Sequence, residues 1–203
     1  MTDHPDYWNR IYEDEGRPGW DMAGATPVMG EALEHAAALG LTPGASIVVP
    51  GCGYGHDAAG LDALGYAVTG LDFAPLAIQG ARSRYGDRIA WSQADWFSAA
   101  RGEAGTGPWD AIFDHTCFVA MDLARRADYV QACAHHLEPG GLWMAVLFHD
   151  VQGRPGPPHA ISMEKCRALV EPRFEILHLA HATSSHPRRA GREFLMVAKR
   201  RQD

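Results

Sequence analysis

A short apolar run that ends in a glycine turn, Val48-Val49-Pro50-Gly51-Cys52-Gly53-Tyr54-Gly55-His56-Asp57, constrains this chain more than any other stretch. The next apolar run closes on Leu71-Asp72, with Asp72 21 positions after Gly51. A buried strand, a glycine turn, a helix and a second strand ending in a carboxylate form one half of a nucleotide-binding α/β unit. The glycines let the backbone approach a ligand closely, and the carboxylate can accept from both hydroxyls of a ribose. The spacing is GxGxG, with His56 where a dinucleotide fingerprint has its third glycine. Without that helix-packing glycine, S-adenosylmethionine (SAM) is favoured over NAD as the ligand.

The alternation continues, and it predicts an α/β fold of seven strands, mostly parallel, with helices on both faces. A helix is expected over 4–15 and a loop over 16–21. Thr26 is expected to cap a second helix, with Pro27 at its first position and Gly40 at its stop. Strands are expected over 47–49, 68–71, 89–94, 110–113 and 142–148, and helices over 56–64 and from Ser162 to Val170. Ala74, Ala77, Ile78, Ala81 and Tyr85 recur at helical spacing, as do Leu123, Ala127, Val130, Ala134 and Leu137. Glu138-Pro139-Gly140-Gly141 stops the latter helix, and 101–108 is a glycine-rich loop. The last two strands, 174–180 and 193–198, are joined by a polar loop with no helix, so they are expected to be antiparallel at one edge. Ligands of open sheets sit at the carboxyl ends of the strands. Gly51, Asp72, Asp95 and Asp114 all fall there.

With 203 residues, the chain suits one domain, 1–203, whose first 43 residues form a helical segment ahead of the sheet. A net charge of −7 argues against a nucleic-acid surface, so Arg188-Arg189 and Lys199-Arg200-Arg201 read as a solvated loop and tail. No apolar run approaches the roughly 18 residues of a membrane span, and the N-terminus lacks a signal-peptide pattern. Cys52, Cys117, Cys133 and Cys166 are dispersed, which fits a reducing cytoplasm. His135 and His136 would point about 100° apart on a helix, and no HExxH occurs, so no metal is expected. The expected assembly is a monomer or weak dimer.

Several segments together resemble the thiopurine, thiol and halide S-methyltransferases of the class I SAM-dependent fold, over nearly the whole chain. They are Tyr7-Trp8-Asn9-Arg10-Ile11-Tyr12, Gly19-Trp20-Asp21, Thr26-Pro27, the Pro50-to-Asp57 turn, Gly70-Leu71-Asp72-Phe73-Ala74-Pro75 and Ala94-Asp95-Trp96-Phe97. Phe113-Asp114-His115-Thr116-Cys117-Phe118, Leu137-Glu138-Pro139-Gly140-Gly141 and Gly156-Pro157-Pro158 complete the set. The resemblance implies SAM as cofactor and a small molecule as methyl acceptor. It implies that Asp72 binds the ribose hydroxyls, that Asp95-Trp96 lie beside the adenine, that Gly51 and Gly53 form the turn under the methionyl group, and that Cys52, Phe73 and Asp114 also contact the cofactor. Trp8, Tyr12 and Trp20 match aromatic positions of a lid over SAM, whose sulfonium favours aromatic faces.

At position 115 the halide and thiol relatives commonly carry Tyr and the thiopurine relatives Arg, where this chain has His115. His115 is therefore the candidate catalytic residue and a candidate cofactor contact. Cys117, Phe118, Phe148 and His149 are expected to line the acceptor pocket, with His159 a weaker candidate. The function expected is methyl transfer to a small soft nucleophile by in-line displacement. An O- or N-methyltransferase using a histidine base and a non-catalytic SAM-binding protein are the alternatives.

Overall fold

The computed structural model describes residues 4–15, 18–97 and 107–202. The loop expected over 101–108 falls outside them except for its last two residues, and so do Gly16 and Arg17 of the loop expected over 16–21. Among the described residues, seven strands form one sheet in the order β3-β2-β1-β4-β5-β7-β6. They are β1 (Ser46–Pro50), β2 (Ala67–Asp72), β3 (Ala90–Gln93), β4 (Trp109–His115), β5 (Leu137–Phe148), β6 (Phe174–His181) and β7 (Glu193–Arg200). The first five run parallel, and β7 is antiparallel to both β5 and β6. The expected edge pair is present, with its second strand inserted inside the first. Between β1 and β4 the chain order reverses, which is where an α/β sheet opens its ligand crevice.

Strand periodicity of two splits the core into two layers. Ile47, Val49, Ala111, Phe113, Met144 and Val146 face α2 (Val28–Ala38), α3 (His56–Ala63) and α4 (Pro75–Tyr85). Val48, Ile112, Trp143, Ala145 and Leu147 face α6 (Arg126–His136) and α7 (Met163–Val170) on the other side. The N-terminal helix α1 (Pro5–Glu15) belongs to neither layer. It packs on α4 through a small cluster of Trp8, Tyr12, Trp20, Tyr54, Ala74 and Ala77.

Gly40 stops α2 as expected: its N–H and that of Leu41 donate to Ala37 O and Ala36 O, closing a Schellman turn with Gly40 at φ +99°. Ser162 caps α7, accepting from Lys165 N at 3.2 Å. Thr26 does not cap α2 with its side chain, and the helix begins one residue after Pro27. The helix expected from Leu123 starts as a 3-10 turn, Leu123–Arg125, with Leu123 57% exposed. Glu138-Pro139-Gly140-Gly141 lies inside β5, whose Leu137 already pairs with Trp109 across a register shift. A four-residue helix unseen in the sequence, α5 (Cys117–Ala120), follows β4 directly.

Candidate active site

Three adjoining pockets at the carboxyl ends of the strands share Gly51 as a wall. Gly51 has φ +58°, and a Cβ there would lie 2.7 Å from Cys117 Sγ, so only glycine fits between the turn and α5. Gly55, at φ +80°, would put a Cβ 2.5 Å from the Trp91 ring. Close packing of helix on sheet is thus supplied at position 55, one residue before the dinucleotide fingerprint has it.

That shift frees positions 56 and 57 to hold the N-terminal segment. His56 Nε2 lies 3.0 Å from Asp21 Oδ1, and the Tyr85 hydroxyl meets His56 Nδ1 at 2.6 Å. Asp57 accepts from Thr26 N at 2.7 Å and from His115 Nδ1 at 2.7 Å. The Gly-Trp-Asp and Thr-Pro segments are thereby fastened to the glycine turn, forty residues away in sequence or fewer. Trp20 meets Trp8 and Tyr12 edge-on at 5.4 and 5.6 Å, and Tyr12 lies 5.0 Å from Tyr54. Trp8, Tyr12 and Trp20 all line the pocket above Gly51, so packing and enclosure are served by the same rings.

Asp72, Phe73, Asp95, Trp96, Phe97 and Met121 line the pocket on the β2–β3 side. Asp72 is buried, accepting from Gly53 N at 3.0 Å and Ala74 N at 2.9 Å. Burial outweighs the backbone hydrogen bonds of Ala74, Gly53 and Phe73 and lifts its pKa to about 6. A carboxylate so placed, facing a pocket, is suited to two more donors, and the diol of a ribose supplies them. The residues therefore fit a nucleoside. Asp95 is exposed and accepts from Phe97 N at 3.0 Å. Trp96 is 5% exposed, its ring 4.4 Å from His136, and reaches the pocket from the core.

On the β4–β5 side, His115, Thr116, Cys117, Phe148, Pro157 and Pro158 line the pocket. Both nitrogens of His115 are engaged. Nδ1 faces Asp57, and Nε2 lies 2.6 Å from Arg189 Nη1, with Glu193 Oε1 at 3.8 Å. Burial pulls the His115 pKa down, but the charge and hydrogen bond of Asp57, helped by Glu193, overcome it and raise the pKa to about 8. The Arg189 contact nevertheless demands a lone pair on Nε2, because a guanidinium can only donate. In this arrangement the ring is neutral with its proton on Nδ1, and protonation would set two donors head to head and expel Arg189.

Arg189 and Glu193 correct the sequence reading. Arg189 is 5% exposed, not solvated, and donates to Glu193 Oε1 at 3.3 Å and Trp20 O at 2.8 Å. Asp114 does not face the pocket. It is fully buried, accepting from Cys117 N, Phe118 N and the Tyr129 hydroxyl, so it holds the start of α5 in place. Phe118 is fully buried against Tyr129 and Trp143, because helical turn geometry points Cys117 and Ala120 at the pocket and Phe118 at the core. His149 packs on His181 at 4.6 Å and lines none of these pockets, and His159 stands outside them as well. Cys52 lines the pocket beside the turn, and burial pushes its thiol well above the usual range, so it is inert there.

A comparison with solved structures agrees with the topology. One structure, from a study of the conversion of a disulfide bond into a thioacetal group during echinomycin biosynthesis, covers 98% of this chain and 93% of its own, with a TM-score of 0.76 and 23% identity. A 1,6-didemethyltoxoflavin-N1-methyltransferase from Burkholderia thailandensis, with bound substrate and S-adenosylhomocysteine, covers 98% and 87%, with a TM-score of 0.73 and 18% identity. In sequence, thiocyanate methyltransferase 1 of Arabidopsis thaliana is 26% identical over 193 residues, 93% of this chain and 82% of that protein. The family model for thiopurine S-methyltransferase matches residues 3–200, and the chain belongs to that family.

Proposed function

We propose that this protein transfers the methyl group of SAM to a small soft nucleophile, a thiolate or a comparable anion. The observation that carries this reading is His115, which stands beside the acceptor pocket with both nitrogens occupied. An alcohol or amine acceptor needs a base, and the residue best placed for one has no free lone pair. A soft anion needs none. When bound, SAM supplies a methyl group on a sulfonium, open to in-line displacement.

The residues of the chain do the rest. Asp72 holds the ribose, and Gly51 and Gly53 let the backbone lie against the methionyl group. Trp8, Tyr12 and Trp20 enclose the chamber, so water is excluded from a reaction that depends mainly on alignment. Cys117, Phe148 and Pro157 give the acceptor an apolar wall, with Cys117 protonated because burial raises its pKa well above the usual value. No helix among the described residues is long and apolar enough to cross a membrane. All four cysteines are free, which supports a reducing, cytoplasmic setting.

The acceptor class is tested by the pH profile. With a thiol of pKa about 8.5, kcat/KM rises roughly tenfold per pH unit from 6 to 8 and then levels; with a halide it stays nearly flat. His115→Gln, whose amide oxygen can still accept from Arg189, retains most of its rate at pH 9. A general base would instead cost about 10²–10⁴-fold. A thousandfold loss in this variant that persists at pH 9, with S-adenosylhomocysteine affinity intact, overturns the soft-nucleophile reading.

Cofactor affinity has its own pH dependence. The ribose hydroxyls donate, so binding needs Asp72 ionised, and its pKa of about 6 in the free protein sets the window. Calorimetry with S-adenosylhomocysteine is expected to give constant affinity above pH 7 and weakening of up to about tenfold per unit below pH 6. In Asp72→Asn this dependence disappears. Unchanged wild-type affinity from pH 7 to 5 removes Asp72 from the site.

A further inference from the structure

Arg189 is a buried cation with donors to spare. Of the five N–H groups of its guanidinium, three donate to His115 Nε2, Glu193 Oε1 and Trp20 O. Two remain, and the side chain lines both pockets on this side of the glycine turn. Its guanidinium also lies over the Phe148 ring, 5.3 Å from the centroid, and the carboxylates that line the second pocket with it are engaged: Asp57 with His115 and Thr26 N, and Asp21 with His56 and Ala23 N.

The proposed function fixes how the cofactor lies. Asp72 marks the ribose and the pocket of Asp95 and Trp96 the base, so the amino-acid end runs past Gly51 and Gly53 into the pocket lined by Asp21, Tyr54, Asp57 and Arg189. SAM carries two positive groups and one negative. The carboxylates of this pocket suit its net positive charge, and among the described residues Arg189 is the one side chain lining it that is permanently cationic. We infer that Arg189, held in place by His115 and Glu193, binds the α-carboxylate of the cofactor and couples it to the Trp20 segment through the Trp20 carbonyl. This inference rests on the SAM reading above. It makes His115 a positioning residue, acting on the cofactor through Arg189.

The test uses three ligands on the intact protein: S-adenosylhomocysteine, its decarboxylated analogue S-adenosyl-3-thiopropylamine, and 5′-methylthioadenosine. Charge-assisted hydrogen bonds to a carboxylate lead wild type to bind S-adenosylhomocysteine about 10–100-fold more tightly than the decarboxylated analogue. Arg189→Gln abolishes that preference while changing 5′-methylthioadenosine affinity by less than about threefold, and Arg189→Lys keeps part of it. Equal wild-type affinity for the first two ligands overturns the inference even if Arg189→Gln fails to fold. A full preference retained in Arg189→Gln, with a raised KM for the thiol instead, also overturns it and assigns Arg189 to the acceptor. Failure of wild type to bind any of the three sinks the SAM reading itself.

Discussion

Asp72→Ala weakens S-adenosylhomocysteine binding by about 30- to 700-fold, the value of two charge-assisted hydrogen bonds at roughly 2–4 kcal/mol together. The expectation is large because Asp72 is the buried acceptor facing the nucleoside side of the cavity. Stability should move differently from affinity. A carboxylate whose folded pKa is raised to about 6 disfavours the fold wherever it is ionised in both states, because its unfolded pKa is lower. The penalty grows as pH rises from about 4 to 6 and persists at neutrality. Asp72→Asn removes that penalty but keeps a single acceptor oxygen, its NH2 facing whichever of Gly53 N and Ala74 N the oxygen does not serve, so it is expected to melt close to wild type at pH 7 while binding the cofactor poorly. Calorimetry and melting curves on the same samples separate the two effects. Unchanged S-adenosylhomocysteine affinity in Asp72→Ala would falsify the assignment, whatever the melting temperature.

Much of this arrangement was legible in the sequence, because it is encoded by local rules. Apolar runs of strand length and the glycine turn place β1, β2, β4 and β5 and hence the crevice between β1 and β4. What escaped depends on contacts that periodicity does not carry. Helix α5 has four residues, fewer than a period-3.6 pattern needs to declare itself. Its absence made Phe118 look like pocket wall and Asp114 like a ligand, when one is core and the other anchors the helix start.

Arg189 was hidden by its setting, a polar loop with a second arginine beside it. The signal that reveals it is topological. A strand antiparallel to β5 must begin beside the end of β5, and Glu193 is indeed paired with Phe148. The loop before β7 is thereby delivered to the carboxyl ends of the parallel strands, over His115. An arginine four residues before that strand start, with a glutamate at it, is then a candidate for the site. Asp57 was visible in the glycine turn, but its bond to His115 spans 58 positions that only the fold brings together.

Glu193→Ala should lower stability by about 3–5 kcal/mol at pH 7, the usual result of removing one partner of a buried ion pair. For a chain of this length that is a fall in melting temperature of about 6–20 °C. The Glu193 side chain is completely buried, 3.3 Å from Arg189 and 3.8 Å from His115. Without it, Arg189 keeps only neutral acceptors at hydrogen-bond distance, and its desolvated charge lies close to a histidine that becomes harder to protonate. Burial raises the Glu193 pKa, but its neighbours His115 and the Arg189 guanidinium outweigh it and hold the carboxyl below its ordinary value. A depressed folded pKa contributes stability that is present above the unfolded value of about 4.5 and is lost as pH falls through the folded one. The gap between wild type and Glu193→Ala should therefore be widest near neutrality and close below about pH 4. Glu193→Gln, which retains an acceptor but no charge, falls between them at pH 7. Because Glu193 also holds Arg189 in place, the alanine variant should bind S-adenosylhomocysteine less well at temperatures where it remains folded, while 5′-methylthioadenosine binds as before. A melting temperature within 2 °C of wild type at pH 7 would mean that the carboxylate does not stabilise the guanidinium, and the network would have to be redrawn around Asp57.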